Sequence, residues 1–323
     1  MNPERTARAP DSHFWLRKRV LVTGGSGFVG SAVCDALLRR GVSEASIRVP
    51  RSRRLDLRLL ENCRQAVEGC DIVVHLAAQT GGIAFARAHP ASQYRDCSLI
   101  NLNMLEAARE AGVAKFVTLG NLLAYPAIAQ SPLVETGLHD GQVAATHLGI
   151  GLAKRDLVAL TQMYHREYGL DAVCVLGANA YGPRDRFDPE HAHVIPATIM
   201  KCFRNEDLVV WGDGTPTRDF LYIDDLAEGI LLAAERLEAP EYVNVASGSE
   251  VSIADLVTMI AGHCGFRRRV LFDGSKGGGD PRRVASTAMA NGRIGFAPQV
   301  PLEEGLRRTI DWYRQTIAIA VAR

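Results

Sequence analysis

The stretch Val20-Leu21-Val22-Thr23-Gly24-Gly25-Ser26-Gly27-Phe28-Val29-Gly30 constrains this chain more than any other. A short apolar run breaks into glycines at three-residue spacing and resumes as Ala32-Val33-Cys34-Asp35-Ala36-Leu37-Leu38, which reads as strand, tight turn and helix. Gly24 permits the turn, Gly27 lets backbone approach a pyrophosphate, and Gly30 lets the helix pack close on the strand. The helix N-terminus, opened by Phe28 and Val29, offers free N–H groups and a partial positive charge, so the stretch predicts a dinucleotide cradle.

The rest of the composition sets limits. With 323 residues, 47% of them hydrophobic, the chain can bury a large core and fill one sizeable or two modest domains. Its 37 basic and 36 acidic residues nearly cancel, so net charge argues against a nucleic-acid or anionic-membrane partner, and a polyanion needs a local site. Seven scattered cysteines without paired spacing suit a reducing, cytoplasmic location and suggest no metal site. The first dozen residues are polar, without a secretion signal's apolar stretch, and no run approaches the roughly eighteen apolar residues of a membrane span.

Downstream, residues 45–50 predict a second strand, followed by Arg51-Ser52-Arg53-Arg54. An NAD site would carry an acidic residue here for the ribose hydroxyls. Arginine instead suits a 2′-phosphate, which favours NADP over NAD, the alternative being a solvated basic loop. Asp56 and Leu57 follow as candidate adenine contacts. A helix is expected near 59–67, then a buried strand from Asp71 through His75-Leu76-Ala77-Ala78, whose small residues let backbone lie near a cofactor. Helices over 98–111 and 148–168 alternate with strands over 115–120 and 171–176. The alternation predicts an α/β fold of Rossmann type, a doubly wound parallel sheet with its ligand at the strands' C-terminal ends. It falters after Tyr181-Gly182-Pro183. A smaller C-terminal substrate domain is expected over 184–218 and 248–316, the cofactor domain taking 15–183 and 219–247, with tails at 1–14 and 317–323. Ser252-Ile253-Ala254-Asp255 reads as a capping box, and 302–313 as an amphipathic helix.

Several further pieces carry a resemblance: His75-Leu76-Ala77-Ala78 with Gly81-Gly82-Ile83, Ala124-Tyr125-Pro126, Asn179-Ala180-Tyr181-Gly182-Pro183, His193-Val194-Ile195-Pro196, and the run from Val210-Trp211-Gly212-Asp213-Gly214 to Thr217-Arg218-Asp219-Phe220. From Arg19 to Tyr313 the chain resembles the extended short-chain dehydrogenase/reductase superfamily, and within it the GDP-sugar epimerase/reductases typified by GDP-L-fucose synthase. The resemblance implies NADP, a nucleotide-linked sugar, and epimerisation followed by hydride transfer on a 4-keto-6-deoxy sugar. It also implies a homodimer built from the two long helices. It places Gly24, Gly27, Gly30, Arg51, Lys154 and Asn179 at the cofactor, and Lys201, Trp211 and Arg218 at the sugar nucleotide.

The reactive positions depart from that pattern. The superfamily's tyrosine, one helical turn before Lys154, is Ile150; its serine or threonine is Asn121; the branch's epimerisation cysteine is Leu123; the histidine partner survives as His193. Hydrocarbon neither gives nor takes a proton, and losing general acid–base help costs about a hundred- to ten-thousandfold in rate. Cys97 stands where relatives carry asparagine, Gly177 where they carry proline, and Gly277-Gly278-Gly279 after Lys276 where Lys-Pro-Asp-Gly is typical. Replacement proton groups are sought in His193, in His147 seven residues before Lys154, and in Tyr125, each with a bland alternative as a solvated, bonded or packed side chain. Two readings follow: a GDP-sugar epimerase or oxidoreductase with altered acid–base groups, in which Lys154 orients the ribose, His193 transfers the proton and Asn121 donates to the reacting oxygen; or a non-catalytic relative that binds NADP or a sugar nucleotide as sensor or partner subunit.

Overall fold

A computed structural model describes residues 13–189, 191–204, 207–276 and 280–321; the first twelve residues, expected as a tail, and Gly277-Gly278-Gly279 lie outside them. The first half alternates regularly: β1 (Val20–Thr23), α1 (Phe28–Arg39), β2 (Ile47–Arg48), α2 (Leu60–Val67), β3 (Ile72–His75), α3 (Ile83–Ala88), α4 (Pro90–Glu110), β4 (Lys115–Asn121), α5 (Leu148–Tyr168) and β5 (Ala172–Gly177). Then come β6 (Asn179–Tyr181), α6 (Val194–Arg204), β7 (Leu208–Trp211), β8 (Thr217–Arg218), β9 (Phe220–Tyr222), α7 (Ile223–Arg236) and β10 (Tyr242–Val245). The chain ends with β11 (Val251–Ser252), α8 (Ile253–Cys264), β12 (Val270–Asp273), β13 (Arg282–Arg283), α9 (Ala288–Ile294) and α10 (Leu302–Val321).

Six strands form one parallel sheet in the order β10-β5-β4-β3-β1-β2. Side chains alternate between its faces. Val20, Val22, Ile72 and Val74 join the core under α1 and α7, while Leu21, Val73 and Phe116 join the core under α2, α4 and α5. Burial on both faces is why these strands read as continuous apolar runs. The order reverses at β1, whose neighbours β2 and β3 continue in opposite directions, and the C-terminal ends of β1 and β3 there open a crevice.

The remaining strands form small sheets, β11-β8-β13, β12-β7 and β6-β9. The Ser252 Oγ accepts from the Asp255 N–H at 3.0 Å and donates to its carboxylate at 2.6 Å, starting α8. Some boundaries differ from expectation. Helix α4 begins at Pro90 rather than near 98, because its first turns bury Gln93 and Asp96 and hide the apolar pattern, and proline suits the first helical position. Helix α10 continues to Val321, past the expected end at 313 and into the expected tail. Phe14 packs edge-on against Trp15, ring centroids 4.8 Å apart, so it is not part of a frayed end. Among the described residues no helix is long and apolar enough to cross a membrane.

Candidate active site

The turn between β1 and α1 is built by contact. Gly24 has φ +68°, and a Cβ there would lie 3.1–3.2 Å from Leu76 and Ala77 backbone. At Gly30 a Cβ would fall 2.2 Å from the Gly24 carbonyl oxygen, so only glycine lets α1 sit on the turn. Gly27 is the N-cap residue of α1 and uses no side chain to cap it, which leaves the first N–H groups of α1 for a ligand. Phe28 and Val29 pack their side chains on the core and contribute backbone only. Arg51 is exposed after β2; burial and then Asp35 raise the pKa of the Cys34 thiol, which sits 4.0 Å from the Gly25 carbonyl, and the Arg51 guanidinium pulls the other way, so a cation stands beside the cradle. Asp56 instead spends both carboxylate oxygens on Arg58, at 2.7–3.1 Å, and the Leu57 side chain is buried under α2 and α4.

A buried polar chain fixes the next loop. The Thr23 hydroxyl accepts from the Leu76 and Ala77 N–H groups at 3.1 and 3.2 Å, so its proton points to His75 Nδ1, 2.8 Å away. His75 Nε2 then carries the ring proton and donates to Asn101 Oδ1 at 3.2 Å, and the Asn101 amide reaches the Ala153 carbonyl at 3.4 Å. Burial, with the Lys154 charge nearby, pulls the His75 pKa down to about 3.

Lys154 is buried on α5 and donates to the Leu119 carbonyl at 2.6 Å; burial lowers its pKa, and no carboxylate pairs with it among the described residues. One turn earlier, Ile150 forms an apolar cluster with Cys97 and Ala153, against which Ala78 and Leu123 pack. The three departures at 97, 123 and 150 are therefore one patch of hydrocarbon and thiol beside the ammonium. Asn121 Oδ1 accepts from the Leu123 N–H at 3.1 Å and shapes the turn after β4. That turn is clamped from two sides. Arg155 donates to the Ala124 carbonyl at 2.7 Å, and the buried Arg283 donates to those of Leu122 and Pro126 at 2.7 and 3.3 Å. Tyr125, expected as a replacement proton group, is instead a core residue: its ring is 1% exposed, its hydroxyl donates to Asn244 Oδ1 at 2.8 Å, and burial raises its pKa.

Across the crevice, His147 occupies the N-cap position of α5 without a side-chain capping bond, half-buried, its Nδ1 3.0 Å from the Thr146 hydroxyl. Burial lowers its pKa, while Asp280 acts in the opposite direction and Arg283, Arg218 and Arg87 add to the lowering. The guanidiniums of Arg283, Arg218 and Arg87 and the Asp280 carboxylate thus all lie near His147. Arg218 itself donates to the Thr217 carbonyl at 2.7 Å. Lys201, on α6, reaches the Val209 carbonyl of β7 at 2.6 Å, and Trp211 stands 54% exposed at the end of the same strand. Asn179 follows β5 and donates to the Asp219 carbonyl at 2.9 Å. His193 precedes α6, its side chain 59% exposed and its Nδ1 3.9 Å from the buried Asp185 carboxylate. The carbonyls of His191 and Ala192 lie over Gly82, which brings this segment to the loop after β3. A cavity of about 430 Å³ lined by Pro132, Gly248, Ser286, Asn291 and Phe296 contains none of these residues and no ionisable side chain, and so offers no acid–base chemistry.

Sequence reasoning missed Arg87, Asp185, Asp280 and Arg283. Only the i,i+3 spacing of Asp280 and Arg283 hinted at a pair, and their Nε to Oδ2 bond of 2.5 Å is buried.

The pattern of the NAD dependent epimerase/dehydratase family matches residues 20–246. A probable GDP-L-fucose synthase 1 of Oryza sativa subsp. japonica is 34% identical, covering 98% of this chain and 98% of its own. The GDP-L-fucose synthase of Escherichia coli (strain K12) is also 34% identical, over 92% of this chain and 97% of its own. A crystal structure of a GDP-L-fucose synthetase from Naegleria fowleri bound to NADP superposes with a TM-score of 0.87 at 26% identity, covering 98% of this chain and 99% of that one.

Proposed function

The chain belongs to the NAD dependent epimerase/dehydratase family, and from that premise we propose that it binds NADP and acts on a GDP-linked sugar as an epimerase or oxidoreductase whose proton-transfer group is not a tyrosine. The observation that carries this reading is a contrast within one crevice. The glycine cradle, Lys154 and the arginine cluster are in place, while the expected phenol position is filled by Ile150 packed against Cys97. The cradle fits the cofactor because Cβ atoms at Gly24 and Gly30 would fill the turn, and Arg51 supplies a cation for a 2′-phosphate. When bound, the cofactor supplies hydride exchange.

The chain's own residues do the rest. Gly27 and the first turn of α1 hold the pyrophosphate, and Lys154 and Asn179 hold the nicotinamide end. Arg218, with Arg283 and Arg87 behind it, holds the sugar nucleotide's diphosphate, and Trp211 and Lys201 offer an apolar face and a charge to its base or sugar. The Asn121 amide donates to the reacting oxygen. His193 takes the proton from, or returns a proton to, a carbon beside a ketone through the enolate, a step that needs no hydride. The division of the chain at 183/184, with 219–247 returning to the sheet, belongs to the same reading. So does a homodimer through α4 and α5.

The test incubates the protein with NADPH and a panel of GDP-linked 4-keto sugars in deuterated water. Deuterium entering the sugar, abolished by His193→Gln, is the expected result, and NADPH oxidation would add hydride transfer. Neither change, with NADP binding intact by calorimetry, would replace this reading by that of a non-catalytic binder, which the hydrocarbon patch at Ile150 also suits.

A further inference from the structure

Between β6 and α6 the backbone is under strain. Arg184, not a glycine, has φ +69°, and its guanidinium is held by an ion pair with Asp35 on α1. A Cβ at the preceding Gly182 would lie 2.5 Å from Ile223 Cγ2, so the chain passes close to α7 before the strained residue. This turn drives the next side chain, Asp185, inward until only 4% of it is exposed. Its Oδ1 accepts from the Arg186 N–H at 2.6 Å; its Oδ2 is buried with no hydrogen-bond partner. Strain held beside an unsatisfied buried carboxylate oxygen points to a function that uses it.

The group within reach is His193, whose Nδ1 stands 3.9 Å from Asp185 Oδ1, too long for a hydrogen bond. The neighbouring ionic groups are otherwise engaged: Asp188 faces Arg186 at 3.6 Å and His191 at 3.4 Å. The His193 backbone is fixed, since its carbonyl accepts from the Ala197 N–H at 2.9 Å, and its side chain is free to rotate at the surface.

We propose that Asp185 is the positioning residue of His193: its carboxylate accepts the imidazole Nδ1–H, so that Nε2 faces the crevice with its lone pair free. In the proton-transfer step the carbon–hydrogen bond beside the ketone breaks, its electron pair enters the enolate, and the proton goes to Nε2. The Asp185 carboxylate, through that hydrogen bond, stabilises the imidazolium. This inference rests on the assignment of proton transfer to His193.

The first measurement needs no substrate. Two-bond ¹H–¹⁵N NMR of histidine-labelled protein, with the His193 signal identified by its loss in His193→Gln, is expected to show the Nδ1–H tautomer in the native chain. In Asp185→Asn it is expected to show the Nε2–H tautomer. The native ring in the Nε2–H form, or one tautomer in both proteins, would overturn the proposal even if the enzyme is active. The second measurement is deuterium wash-in with a GDP-linked 4-keto sugar, where Asp185→Asn is expected to lower kcat about 100-fold or more and leave KM within about threefold. Unchanged kcat would overturn it. Absence of wash-in by the native protein defeats the assignment of His193 and leaves the tautomer to decide on Asp185. If the asparagine variant fails to fold, the native tautomer alone decides.

Discussion

At Ile150 two replacements must be read together, because Leu123 packs on the cluster that Ile150 forms with Cys97. Restoring a phenol alone, as Ile150→Tyr, adds ring volume to a filled site. It is expected to lower stability in urea by about 1–3 kcal/mol, with no gain of activity. Adding Leu123→Cys opens the space, and the double variant is expected to regain most of that stability and to raise NADPH-dependent ketone reduction at least about tenfold. Strictly additive losses would show that the two positions do not share one site. His75 allows a test of charge. Its pKa is about 3 in the fold against 6.5 when free, so between those values the unfolded chain binds the proton and the native chain does not. Stability therefore falls as pH drops below 6.5, by about 1 kcal/mol per pH unit from this group. His75→Gln is expected to flatten the change in urea stability between pH 7 and pH 5; an equal slope in both proteins would place the titration elsewhere. The buried strand was legible in residues 71–78, but the His75 partners Thr23 and Asn101 come from other elements and left no local sign.

Among elements, α4 and α5 hold each other and turn an apolar face outward. Tyr94, Leu99 and Leu102 on the first and Leu148, Met163 and Tyr168 on the second are six of the fifteen large apolar side chains that stand exposed among the described residues. In the proposed homodimer these side chains would lie toward the partner copy. Leu102→Glu places a charge in that face and is expected to weaken a dimer enough that light scattering reports monomer at micromolar concentration, with helicity by circular dichroism unchanged. A dimer unaffected by the change, or a monomeric native protein, would refute the assignment. Helix α5 also shows how far periodicity reaches. Its bounds, 148 and 168, were expected in full because the repeat is regular and Gly169 ends it in the left-handed conformation. The start of α4 was not, since its first turns bury polar groups that carry no apolar signal.

Across the whole molecule, Arg283 joins the two halves. From β13, beside Arg218 on β8, it reaches back to the carbonyls of Leu122 and Pro126, while Leu133 exchanges backbone bonds with Val284 and Ser286 at 2.8 Å. The turn carrying Asn121 is thereby tied to the segment carrying Arg218. Arg283→Met strands the buried Asp280 carboxylate and is expected to cost about 3–5 kcal/mol in urea, with KM for the sugar nucleotide raised. Asp280→Asn in the same chain is expected to recover much of the stability and none of the KM. Failure to recover would mean that the arginine's bonds to the carbonyls, and not its charge pairing, hold the halves together.

What the amino-acid order determined by itself is what depends on near neighbours: the β1 turn with its glycines, the buried parallel strands, the helix caps, and the absence of a proton-bearing side chain at 150. Backbone sterics and two short periods act within one or two turns of chain, so they are written locally. Only the tertiary structure decided that Ile150, Leu123 and Cys97 form one patch, that Tyr125 belongs to the core, that Leu57 is buried with α2 and α4, and that Asp185 is left with an oxygen to spare. Each of these depends on which distant segments are packed together, and burial decides whether a polar group there is bonded, neutralised or available.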